Sequence, residues 1–120
     1  MRQDLKRRTK VFALDIIRLC SGLPSKPEAR VLGNQLLRSG TSVGARYREA
    51  QRAKSNADFI SKIEGGLQEL EETEYWLELL EESGLVEAKT VQLLKKEVNE
   101  LIAMFVSMAR NTKAIGVSRK

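Results

Sequence analysis

Only two of the 120 residues are proline, Pro24 and Pro27, and they stand three positions apart. Proline is the strongest helix breaker, because it lacks an N–H and its ring strikes the preceding turn. A chain with so few interruptions is free to build long helices, and its apolar spacing says that it does. Val91, Leu94, Val98, Leu101, Phe105 and Met108 recur at alternating steps of three and four, the seam of a helix packed lengthwise against others. Leu5, Thr9, Phe12, Ile16 and Leu19 repeat the pattern near the N-terminus. So do Leu32, Leu36, Val43, Tyr47 and Ala50, and then Phe59, Ile60, Ile63, Leu67, Leu70, Leu77 and Leu80.

The breaks between these stripes are short. Gly22-Leu23-Pro24 ends the first helix, glycine being the usual residue just past a helix end. Ser25 and Glu28 have capping-box spacing, with Pro27 tolerated in the first turn. Ser55 and Asp58 mark a third start, and Ser83-Gly84 a third stop. The expected helices span about residues 4–21, 26–53, 56–83 and 86–113, with a short basic tail from Ile115. Links of a few residues force neighbouring helices to run antiparallel. The reading is one all-α domain over residues 1–120, an elongated up-and-down antiparallel four-helix bundle. Ser39 to Ala45 is a run of mostly small residues containing Gly40 and Gly44. Apolar periodicity resumes in phase at Val43, so the run predicts close approach of a neighbouring helix rather than a break. Gly65-Gly66 is a second small patch that could face it.

Several chemistries are poorly served. Gly40-Thr41-Ser42-Val43-Gly44 matches the nucleophile-elbow pattern, yet no strand precedes it and the chain has no histidine to act as base. Without histidine and with Cys20 as the single cysteine, a metal would need carboxylates alone. The dense run from Glu69 to Glu82 reads as a solvated acidic face. No phosphate loop is present. The expectation is a protein that is not an enzyme, with no cofactor and no metal. Asp15 and Arg18 interrupt the apolar stretch after the basic N-terminus. That argues against a signal peptide or membrane span and makes the cytoplasm the expected compartment. Cys20 lies near the apolar stripe and reads as a small buried hydrophobe.

Charge is the feature that points to function. The net charge is +5, but residues 1–54 carry 13 Lys/Arg against 4 Asp/Glu while residues 55–120 carry 8 against 12. On the second helix Arg30, Arg38, Arg48 and Arg52 fall within a sector of roughly 80°, opposite the apolar face, with Arg46 and Lys54 flanking it. Such a ridge suits a run of nucleic-acid phosphates. The same arginines could equally be solvated or paired with Glu across helices. On the third helix Trp76 and Leu79 are expected to point away from the core stripe, with Tyr75 between the two faces. A second apolar face suggests a partner subunit.

Residues 35–45 (QLLRSGTSVGA), then Tyr47-Arg48-Glu49-Ala50, then Ser55 with Asp58-Phe59, carry a resemblance. Glu72, Tyr75 to Leu80 and Ser83 to Val86 extend it. Together they resemble the four-helix-bundle proteins encoded in intervening sequences of bacterial 23S rRNA genes, over roughly Phe12 to Val86. The resemblance implies a left-handed up-and-down bundle assembled as a homopentamer; the residues expected at the oligomer interface are Glu72, Tyr75, Trp76 and Leu79. It also implies kinship to the accessory protein of diversity-generating retroelements, a basic pentamer that binds a reverse transcriptase and nucleic acid. The chain departs from the family pattern at Arg46, where many members have Asn, and at Ala53, where many have Arg. Two functions follow as expectations. One is a homo-oligomer binding RNA or DNA through Arg30, Arg38, Arg46, Arg48, Arg52 and Lys54. The other is a protein-interaction scaffold or accessory subunit that makes no direct contact with nucleic acid.

Overall fold

A computed structural model describes residues 2–118, with side chains from Leu5 to Ile115. Four helices follow one another: α1 (Arg2–Ser21), α2 (Pro27–Gln51), α3 (Asn56–Glu82) and α4 (Ala88–Ser118), with no strand among the described residues. The body measures 55 × 21 × 21 Å, the proportions of a few long helices lying side by side. None of the described helices is long and apolar enough to cross a membrane.

The helix ends follow local chemistry, with two departures from the sequence reading. Ser55 caps α3 as expected, its hydroxyl accepting from the Asp58 N–H at 3.0 Å. Gly84 takes φ of +79°, letting Leu85 and Val86 donate back to the Leu80 carbonyl. The Ser25–Glu28 box does not form. Lys26 is the N-cap of α2 and makes no side-chain cap, and Pro27 is the first helical residue. Proline has no N–H to cap, and its fixed φ starts the helix without help, which leaves Ser25 one residue outside. The second departure is the tail: α4 continues past Ile115 to Ser118, and Arg119 and Lys120 lie outside the described residues.

Small residues set how the helices meet. A Cβ on Gly40 would stand 2.9 Å from Ile16, and one on Gly44 would stand 3.1 Å from the Thr9 hydroxyl, so both glycines let α1 close on α2. Gly33 makes the same allowance for Leu23. On α3 the expected Gly65-Gly66 patch divides its neighbours. Gly65 lies beneath the Arg46 side chain of α2, whereas Gly66 receives the Phe105 ring of α4. Consecutive helical residues differ by about 100°, so Gly66 turns toward α4 while still meeting the Arg46 Cβ at 3.6 Å. Across α2 and α3 the buried hydroxyls of Ser39 and Thr73 are 2.8 Å apart. Between α1 and α2 the contacts pair 23 with 33, 16 with 40 and 9 with 44.

The core is the one the spacing predicts, with Phe12, Ile16, Leu36, Val43, Tyr47, Ile63, Leu70, Leu77, Leu101 and Phe105 fully enclosed. Thr9 is also buried, its hydroxyl donating to the Leu5 carbonyl at 2.7 Å. Leu32, Phe59, Leu67 and Met108 pack at the margin rather than the centre.

Candidate nucleic-acid interface

The six basic residues expected to meet nucleic acid do not form one ridge. Arg38 reaches across to α3, donating to Glu72 Oε1 at 2.7 Å while its other terminal nitrogen lies 3.6 Å from Glu69. The first is a hydrogen-bonded ion pair, and the second is ion attraction beyond hydrogen-bond range. Arg46 donates to Glu49 one turn along its own helix at 3.1 Å and covers Gly65 with its stem. These two arginines are thus neutralised within the chain, and both belong to the shoulder that α2 turns toward α3.

Arg30, Arg48, Arg52 and Lys54 are different. All four are exposed, and among the described residues none has a carboxylate within ion-pair distance. Arg30 and Arg48 lie on the outer face of α2, Arg52 is its C-cap, and Lys54 follows in the loop before α3. Toward Arg48 and Arg52 the sequence reading missed Lys6 and Lys10 of α1, which are also exposed and without an ion pair among the described residues. The signal was the local basic excess of residues 1–10, whose helical face is fixed by the buried Leu5 and Thr9.

Folding also sorts charge along the bundle. The contacts of Thr9 with Gly44, Arg46 with Gly65 and Phe105 with Gly66 bring residues 5–11, 43–68 and 104–115 to one end. That end carries 11 Lys/Arg against 3 Asp/Glu. The other end, residues 12–39 and 69–103, carries 7 against 12. A net charge of modest size in sequence becomes a strong polarity in space.

The sequence profile of the 23S rRNA-intervening sequence protein family matches residues 2–107. The chain belongs to this family. A crystal structure from Bacteroides thetaiotaomicron, described as a protein with unknown function from the S23 ribosomal protein family, is 36% identical. It matches 92% of this chain and 99% of its own length with a TM-score of 0.86. No curated protein matches significantly.

Within this intervening-sequence protein the four residues expected at an oligomer interface all lie on α3 and differ in their surroundings. Glu72 is engaged by Arg38. Trp76 does not point away from the core but packs against it, because it stands three and four residues beyond Thr73 and Glu72, both of which touch α2. Its indole N–H is buried without an acceptor among the described residues. Tyr75 is the outward member of the pair, 54% exposed, with its ring 5.1 Å from that of Trp76. Leu79 is half-buried.

The glycines of the elbow-like motif serve helix packing, and the Ser42 hydroxyl is spent on the Arg38 carbonyl at 2.6 Å. Among the described residues no three His, Cys, Asp or Glu side chains converge. Cys20 is half-buried, with its sulfur 3.5 Å from the Gly33 carbonyl, and burial pushes its thiol pKa up. That is the opposite of what an activated nucleophile needs.

Proposed function

We propose that this chain is an up-and-down antiparallel bundle which self-associates and binds RNA or DNA through exposed basic residues, without catalysing a reaction. One observation carries the reading. Arg48, Arg52 and Lys54, toward the basic end, remain exposed and without an ion pair among the described residues, while Arg38 and Arg46 of α2 are engaged by glutamates. Unpaired guanidinium groups are free to donate to phosphates, in bidentate fashion where geometry allows. Nothing on this surface alternates aromatics with arginines, so backbone contact without base reading is expected. Exposed Tyr75, at 54%, and Val31, at 60%, support self-association, and the family resemblance favours a pentamer. A ring would multiply a weak phosphate contact into avidity.

A second reading is a protein-interaction scaffold. The Arg38 pairing with Glu69 and Glu72 favours it, since it takes a central arginine out of the phosphate ridge. Fluorescence anisotropy over a salt series, with a mixed-sequence RNA strand and a DNA duplex, separates the two. Binding should weaken with salt at a log–log slope of about −0.7 to −0.9 per neutralised phosphate. No binding to either probe at low salt would leave the scaffold. Light scattering should report a multiple of the 13.5 kDa chain mass, about fivefold for a pentamer.

A further inference from the structure

Resting on the polynucleotide reading above, we propose that phosphates are held in the furrow between α1 and α2 at the basic end, by Lys6 and Lys10 together with Arg48 and Arg52. Thr9 against Gly44 and Ile16 against Gly40 fix how the two helices lie. One step outward from that contact line, at helical spacing, come residues 6, 10, 13 and 17 of α1 and residues 30, 37, 41 and 48 of α2. That these two rows border one furrow is visible at its far end, where Ile17, Ser21, Arg30, Asn34 and Leu37 line a single open cavity. Followed the other way, the same rows arrive at Lys6, Lys10 and Arg48, with Arg52 just past the end of α2.

Neither row contains Asp or Glu, and the four cations are exposed and unpaired among the described residues. Lys6 and Lys10 are one turn apart, as are Arg48 and Arg52, which is roughly 6 Å along each helix axis. Two short cation rows on adjacent helices meet successive phosphates of one strand from both sides. Beyond them along the furrow come Ala13 and Thr41, whose hydroxyl donates to the Leu37 carbonyl. Arg30 is about 27 Å farther along α2, in the half where carboxylates outnumber cations, and lies outside the site.

The test uses the full chain and both probes, the mixed-sequence RNA strand and the DNA duplex, over a salt series. It compares wild type with a Lys6→Gln/Lys10→Gln/Arg48→Gln triple and with Arg30→Gln. The triple should lose affinity on the order of 100-fold at about 0.1 M salt, and its slope should flatten by about 2 to 3. Arg30→Gln should stay within about twofold of wild type. The Lys6→Gln/Lys10→Gln pair alone should lose roughly tenfold with helical CD and mass unchanged, so the site can be judged even if the triple fails to fold. A triple that binds like wild type, or an Arg30→Gln loss as large as that of the triple, would overturn this furrow and leave the polynucleotide reading standing. Failure of the wild type to bind either probe would remove both.

Discussion

Arg38 of α2 and Glu72 of α3 are joined at 2.7 Å, and this ion pair takes Arg38 out of the set of free basic residues on α2. Glu69, with a side chain only 12% exposed, sits 3.6 Å from the same guanidinium. Arg38 therefore offsets a nearly enclosed carboxylate as well as an accessible one. Removing it leaves Glu69 facing low-dielectric surroundings without its cation, which costs more than the loss of an ordinary surface pair.

The two adjacent glycines of α3 should answer alanine in opposite directions. A Cβ at Gly65 would meet only Arg46 side-chain atoms at 3.5 and 3.6 Å, an ordinary contact. Gly65→Ala should therefore gain about 0.5–1 kcal/mol from helix propensity and raise Tm. A Cβ at Gly66 would stand 2.6 Å from Phe105, a fully enclosed ring that also contacts Tyr47. Gly66→Ala should cost about 1–3 kcal/mol. Thermal melts of the two variants give the signs directly.

The helix pattern was legible in the sequence because it is local. The three-four spacing of Val91 to Met108 follows from one helix alone, and so does the Ser55 cap. What was not legible depends on which neighbour a face meets. The wheel of α2 puts Arg38 beside Arg48, yet Glu69 and Glu72 lie 31 and 34 positions away and reach only Arg38. The direction of Trp76 was hidden for the same reason, since its angle marks a side of α3 and not whether α2 already covers it. Lys6 and Lys10 become relevant only with Thr9 placed against Gly44. The spacing of Glu69 and Glu72 on a face turned to α2 was the signal that could have warned of the Arg38 pairing.

Arg8 should act as the clasp between α1 and α4. It grips Glu97 with two nitrogens at 2.7 and 2.8 Å and also donates to Glu100, and these carboxylates hold its pKa well above the usual arginine range. Arg8→Gln should lower stability by about 1 kcal/mol at low salt, and by less at high salt. Hydrogen exchange should quicken in α1 more than in α3, which is packed between α2 and α4.

Cys20 should behave as an inert thiol. Burial disfavours its thiolate and raises its pKa above the ordinary value of 9.0. Alkylation of the native protein near pH 8 should be slower than for the urea-unfolded chain. The native rate should keep climbing as pH passes the ordinary thiol value, because the reactive thiolate forms only there. Equal rates in the two states would place the sulfur in solvent.

A buried hydroxyl pair should contribute to α2–α3 registry. Thr73 Oγ1 lies 2.8 Å from both Ser39 Oγ and the Glu69 carbonyl. Thr73→Val keeps the shape but strips Ser39 of its cross-helix partner, at a cost of about 1 kcal/mol. The double Ser39→Ala/Thr73→Val should cost less than the two single changes added together, as read from urea midpoints.

The central claim, that Arg38 of α2 is structural while Arg48 of the same helix binds phosphate, is tested most directly by Arg38→Gln and Arg48→Gln side by side. Tm and the salt slope of RNA anisotropy are measured on both. The account predicts a lower Tm with an unchanged slope for Arg38→Gln. For Arg48→Gln it predicts an unchanged Tm with a slope flatter by about 0.7–0.9 for each phosphate that is no longer neutralised. An equal flattening of slope in the two variants, with Tm unmoved in both, would contradict it.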